Sequence, residues 1–393
     1  MSTPRNPRAR VGPLAGRTDS TLPLDVDTLL ADRSTHIIVC CGSGGVGKTT
    51  TSASLALRAA EQGRKVVVLT IDPAKRLAQS MGIEALDNTP RPVLGLVPSS
   101  ENTGRLDAMM LDMKRTFDEV VENQASPERA KAILENPFYI ALSSSFAGTQ
   151  EYMAMEKLGQ LYRDAFSSGT YDLIVVDTPP SRSALDFLDA PDRLSAMLDG
   201  RFIRLMMAPA KGPARFMSAG FSLITNAMTK ILGGQFLRDM QTFVSALDTV
   251  FGGFRQRAQQ TYALLQADQT AFLVVAAPEP DALREAAYFV ERLSGDAMPL
   301  AGLVVNRASP ALDPDLSAEA ALAAAEKLEP DGVTAGLMRL HADRAALVAR
   351  EVTLRERFAA AHPAVPTAVV PALSGDVHDL NGLRRIGDLI ADG

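Results

Sequence analysis

The residues best suited to chemistry form one run, Cys41-Gly42-Ser43-Gly44-Gly45-Val46-Gly47-Lys48-Thr49-Thr50. It follows the apolar stretch His36 to Cys40 and leads into a helix-forming stretch from Ser52 to Gln62, so it lies where a strand turns into a helix. That is the setting of a phosphate-binding loop, and the pattern G-x-x-x-x-G-K-T is met in full. Gly42, Gly44, Gly45 and Gly47 permit positive φ and bring the backbone close to a polyphosphate, so that successive N–H groups and the helix start face its charge. Lys48 is expected to reach the β- and γ-phosphates of a nucleotide, and the Thr49 hydroxyl to ligate Mg²⁺. Ser43, Val46 and Thr50 complete the expected nucleotide-binding set within the loop.

The elements that must position this loop are legible as apolar runs. Asp25 to Asp32 reads as a lead-in helix, and Gly63 as the end of the helix after the loop. Lys65 to Thr70 is almost uninterrupted apolar sequence, the pattern of a strand covered on both faces, and it delivers Asp72-Pro73-Ala74-Lys75-Arg76 to its end. Weaker strands are expected at Val93 to Val97 and Leu106 to Asp112. Helices are expected from Thr116 to Ser167, interrupted at Asn136-Pro137 and at Ser143 to Gly148. Asp172 to Asp177 is a second buried strand, ending in Asp177-Thr178-Pro179-Pro180, and Ala271 to Ala276, Leu300 to Asn306 and Ala368 to Val370 are three more. Strands alternating with helices, each strand ending in polar residues, specify an α/β fold with a doubly wound, mostly parallel sheet whose ligand sits beyond the strand C-termini.

Residues 24–193 and 270–393 form the expected core, and 194–269 an inserted helical subdomain. In the insertion Met217, Phe221, Ile224, Met228 and Ile231 recur at helical spacing, as do Phe236, Met240, Phe243, Leu247, Val250 and Phe254. Such stripes are either core faces or a Met- and Phe-rich groove for an apolar segment, since unbranched Met re-packs around varied shapes. Arg201, Arg204, Lys211, Arg215 and Lys230 flank them, as a solvated face or as contacts to anionic lipid.

Composition excludes several classes. A net charge of −6 argues against a chain built to coat nucleic acid. Cys40 and Cys41 are the only cysteines, adjacent on the first strand, so no disulfide framework and no Cys-x-x-Cys zinc pair arises. They read as small buried hydrophobes in a reducing compartment. The four histidines, His36, His341, His362 and His378, are scattered and suggest no metal constellation. Residues 1–23 carry Arg5, Arg8, Arg10 and Arg17 among Pro, Gly and Ser without an apolar segment, which reads as a disordered basic arm rather than a signal peptide. No run approaches the roughly eighteen apolar residues of a spanning helix, so a soluble, cytoplasmic protein is expected.

The loop Gly42 to Thr50, then Ile71-Asp72-Pro73-Ala74, Asp177-Thr178-Pro179-Pro180, Val304-Val305-Asn306-Arg307 and Pro371-Ala372-Leu373 with Asp376-Val377-His378 occur in the order seen in ArsA-type ATPases. The chain resembles that family from about Leu24 to its end. The family includes the arsenite-efflux ATPase and the ATPase that targets tail-anchored membrane proteins, and it belongs with the dimeric NTPases whose Walker loop deviates from the common form. The resemblance implies ATP and Mg²⁺ as ligands. Asp72 is similar to the family's switch aspartate, which orients the attacking water; its alternative is a helix N-cap ahead of Pro73. Asp177 resembles the Walker B aspartate that holds Mg²⁺ through water. Asn306 falls at the adenine-binding position, where an amide suits a base edge; its alternative is a turn-forming Asn. Pro278-Glu279 together with Pro371, Leu373 and Asp376 resemble the rest of the adenine wall, and Gly148-Thr149-Gln150-Glu151 the loop that touches the other subunit of a dimer.

The departures are equally informative. The family's loop carries a second lysine immediately before its Gly-Gly pair, and that lysine crosses to the partner's nucleotide. Here the position is Ser43. By analogy with an arginine finger, losing such a cation costs roughly 10³ to 10⁵ in rate. Lys75 or Arg76 substitutes, the ATPase is slow or regulatory, or a paralogous ATPase supplies the lysine in a heterodimer; the last is the favoured reading. The cysteine pattern departs from that of the arsenite pump and from the zinc-binding pair of the eukaryotic targeting factor. A membrane transporter or a hydrophobic client is the expected partner, with peripheral placement at the inner membrane through that partner.

Overall fold

The apolar runs become strands of one sheet in the computed structural model, which describes residues 22–71, 76–97, 104–137, 139–140, 143, 149–179, 253–313, 315–330 and 332–393. The basic arm through residue 21, the run Asp72 to Lys75, Gly148 and the Met217 to Val250 stripes lie outside the described residues. The strands are β1 (Ile37–Cys41), β2 (Lys65–Thr70), β3 (Arg91–Pro92), β4 (Arg105–Met110), β5 (Leu173–Asp177), β6 (Thr270–Ala276), β7 (Leu300–Ala308) and β8 (Thr367–Pro371). Among the described residues they form a sheet in the order β3-β4-β2-β5-β1-β6-β7-β8, and only β3 runs antiparallel. β1 sits between β5 and β6, so the loop that leaves it opens at the middle of the sheet.

Alternation along β1 shows why its sequence has no polar face. Ile37, Val39 and Cys41 join one core, while Ile38 and Cys40 join the other. The second core is closed by α1 (Val26–Ala31), α2 (Lys48–Glu61), α3 (Arg76–Ser80) and α11 (Leu380–Asp392), through Leu30, Leu57, Leu77 and Leu383. The first is closed by α4 (Met113–Gln124), α5 (Pro127–Leu134), α6 (Thr149–Ser168), α7 (Phe254–Gln266), α8 (Pro280–Gly295) and the long α10 (Val333–Ala361), which pairs with α9 (Ala318–Glu326). The described end of the expected insertion, α7, packs on α6 and contributes Ala258 and Leu265 to this core. Among the described residues no helix is long and apolar enough to cross a membrane.

The strand expected at Val93 to Val97 is a correction. Pairing is confined to Arg91 and Pro92 against Ala108 and Asp107, and beyond it only the Val93 N–H reaches a neighbouring strand, at Leu106 O. Pro92 has no N–H to continue a ladder, and Gly95 turns the chain with φ +88°, leaving Leu94 and Val97 exposed. Asp112, expected at the end of a strand, instead caps α4 by accepting from the Arg115 N–H at 2.9 Å.

At the end of the sheet away from the glycine loop, Arg64 is buried with 1% of its side chain exposed. Its Nε donates to Asp172 Oδ1 at 2.9 Å, Nη1 to the carbonyls of Leu30 and Asp32, and Nη2 to those of Thr35 and Asp172. One guanidinium thus fastens the α1–β1 connection to the start of β5. Replacing it takes the guanidinium from the carbonyls of Leu30, Thr35 and Asp172, while Asp32 O keeps the Thr35 N–H; each carbonyl left unpaired costs about 1–3 kcal/mol if nothing takes its place. Arg64→Met is expected to lower unfolding free energy by about 3–5 kcal/mol, read from urea unfolding. A loss below about 1 kcal/mol would show that the knot is not needed.

Candidate nucleotide site

The loop Gly42 to Gly47 joins β1 to α2. Two of its glycines are dictated by close packing as well as by backbone angle. Gly42 has φ +147°, and a Cβ there would lie 2.1 Å from Val275 O on β6. Gly47 has φ +97°, and its Cβ would lie 2.2 Å from the side-chain nitrogen of Asn306. Gly44 and Gly45 form the exposed crest. α2 begins at Lys48 with no side-chain cap, so the positive end of its dipole lies at the loop.

Lys48 is buried, and its Nζ donates to Ser43 O at 2.7 Å, which folds the ammonium over the loop. Thr49 Oγ1 donates to Asp177 Oδ2 at 2.8 Å. Asp177 is completely buried at the end of β5, in register with Cys40 of β1 and Thr70 of β2. Thr70 Oγ1 donates to the same carboxylate oxygen at 2.8 Å, and Thr178 Oγ1 to Cys40 O at 2.8 Å. A carboxylate is therefore aimed at the hydroxyl that follows the loop lysine, held by a neighbouring strand. Thr50 starts the same helix, half-buried.

Burial pushes the Cys40 thiol up to about 12 and that of Cys41 higher still, so both stay neutral. They pack as small hydrophobes within β1, as their position in the sequence suggested.

Asn306 does reach the loop, though through backbone. Its Nδ2 donates to Val46 O at 2.8 Å, and the residue is 7% exposed. Arg307, unassigned by the sequence reading, donates from Nη1 to Gly45 O at 2.8 Å. Pro371 is buried at the end of β8, Leu373 packs against the second core, and Asp376 stands exposed on the loop that follows. His378 and Leu380 at the end of that loop line an open groove of about 450 Å³ with Met81, Ile83, Arg91 and Leu94. Pro278 is buried and Glu279 is the cap residue of α8. Asp72 lies outside the described residues, but the chain entering it is fixed: the Ile71 N–H donates to Asp177 O at 3.0 Å. Arg76 opens α3, exposed. Thr149, Gln150 and Glu151 form the first turn of α6.

A mostly parallel sheet with a glycine loop between its central strand and a helix, and a buried aspartate on the adjoining strand end, defines a P-loop nucleoside triphosphatase fold. The family model for the anion-transporting ATPase, ArsA, matches residues 35–353, and the chain belongs to that family. It is an ATPase, hydrolysing ATP to ADP and phosphate. It is similar to ATPase BagA of Mycobacterium tuberculosis, with 25% identity over 91% of this chain and 92% of that protein. It is also similar to ATPase get3 of Schizosaccharomyces japonicus, with 26% identity over 75% of this chain and 80% of that one. ATPase GET3 of Malassezia globosa is 31% identical over a shorter region, 46% of this chain and half of the relative.

Proposed function

We propose that this chain hydrolyses Mg-ATP as one half of a nucleotide-switched dimer, and that its partner is a paralogous ATPase carrying the lysine absent at Ser43. The observation that carries the reading of the site is the bond from the Thr49 hydroxyl to the buried Asp177 carboxylate at 2.8 Å, beside the uncapped start of α2. The donor set there consists of oxygens alone, which suits Mg²⁺ better than a soft metal. Thr49 and Asp177 would hold the ion, and its chemistry there is to neutralise charge on the phosphates. Lys48 binds the phosphates, releasing Ser43 O as it does so, and the loop N–H groups orient them. Asp72 orients the attacking water. Asn306, Pro371, Leu373 and Asp376 surround the base.

The energy serves an anion transporter or the handling of a hydrophobic client, reached through the insertion 194–269, with the protein cytoplasmic and peripheral to the membrane through that partner. The relative in Halobacterium salinarum, named a putative arsenical pump-driving ATPase and 28% identical over 47% of this chain, supports the transporter side. The GET3 relatives, aligned over as much as 75% of this chain, support the client side.

Because Ser43 lends the site only its carbonyl, its side chain can be changed without loss of the Lys48 contact. Ser43→Lys is therefore expected to raise turnover of the lone chain roughly 10³-fold at concentrations where ATP-dependent dimer is seen by light scattering. Dimer without any gain in turnover would remove the trans-lysine from the reading.

A further inference from the structure

We propose that Arg307 is a positioning residue of the nucleotide site, holding the phosphate loop in its binding conformation before ATP arrives. The proposal rests on the reading of Gly42 to Thr50 as that site.

The register of β7 against β8 is the starting point. Val305 lies opposite Val369, but Ala308 lies opposite Pro371, so β7 carries one extra residue over this step. That is a β-bulge, a device that re-aims side chains at the end of a strand. Arg307 within it has φ +61°, a left-handed conformation uncommon for a residue with a Cβ. In an unbroken strand Asn306 and Arg307 would point to opposite faces. With the bulge, both reach the same loop, Asn306 at Val46 O and Arg307 at Gly45 O, each at 2.8 Å.

Two successive carbonyls are thus held by two successive residues of β7, two strands from β1. In a planar trans peptide the C=O and the following N–H point in opposite directions. Holding the carbonyls of Gly45 and Val46 against β7 therefore turns the N–H groups of Val46 and Gly47 the other way, toward the face that a phosphate would occupy. Arg307 acts through the loop and touches no reacting atom. Its cost is a left-handed residue, and its return is a loop whose donors are already ordered.

The geometry provides a clean test. Arg307→Gly removes the donor while favouring the left-handed backbone, so the bulge is kept. Arg307→Lys keeps a cation that can reach the single carbonyl. The measurements are the ATP dissociation constant of the full chain, KM and kcat of the chain with its co-purified paralogue, and hydrogen exchange of the loop amides in nucleotide-free protein. For a hydrogen bond to a charged group, the glycine variant is expected to bind ATP about tenfold more weakly and to exchange Val46 and Gly47 amides about tenfold faster. KM should rise with kcat little changed, because the ordered loop serves ground and transition states alike. The lysine variant should recover most of the affinity. Binding and exchange within twofold of wild type in Arg307→Gly would overturn the proposal. Lys48→Ala is the control: if it abolishes binding while Arg307→Gly does not, only the role of Arg307 fails. If neither weakens binding, the site itself is misplaced.

Discussion

Lys48→Ala is expected to reduce ATP turnover by roughly 10³-fold or more, while leaving the chain folded. Lys48 is the side chain whose ammonium folds over the loop, held by Ser43 O at 2.7 Å, and phosphoryl transfer depends on positioned charge more than on covalent help. Removing one preorganised donor from such a site costs about 10² to 10³ in rate, and this one is also proposed to neutralise the ground-state phosphates. The fold should survive because α2 is held by Leu55, Leu57 and its alanines in the second core. The check is steady-state phosphate release together with ATP binding. Turnover within tenfold of wild type would mean that another cation carries the phosphates.

The second large effect is expected at Asp177. Asp177→Asn is nearly isosteric, and its side-chain oxygen can still accept from Thr49 and Thr70, which donate to Oδ2 in the native protein. What is lost is the negative charge at the end of β5. Turnover is expected to fall about 10² to 10³-fold, with the Mg²⁺ concentration for half-maximal rate raised at least tenfold. Thr70→Val, by contrast, removes one donor from the same carboxylate and should cost far less. Equal losses in the two variants would argue for a structural network rather than a metal-directed carboxylate.

What was legible in the sequence follows from how local each signal is. The loop and the start of its helix are encoded in ten consecutive residues, and Asp177 closes an apolar run, so strand, turn and carboxylate could be read without partners. Asn306 was singled out through the family resemblance as an adenine-side residue, and its observed contact is to the Val46 carbonyl, 260 residues away in sequence. Arg307 could not be found from composition or spacing, because its role depends on a one-residue bulge against β8 and on positive φ. Arg64 was silent for the same reason: its acceptors come from the α1–β1 connection and from the Asp172 carbonyl and carboxylate. Val93 to Val97 misled because a run of apolar residues signals burial only where the backbone can also pair, and Pro92 and Gly95 prevent that.

The departure at Ser43 is the reason a second, lysine-bearing ATPase is proposed to complete the chemistry. The direct measurement is ATP turnover of the purified chain alone, and again with the paralogue that co-purifies on co-expression. Turnover is expected to appear with the lysine-bearing partner and to disappear when that lysine is changed to alanine. A lone chain that hydrolyses ATP at a rate the partner leaves unchanged would contradict it, and would make Lys75 or Arg76 the cation to remove next.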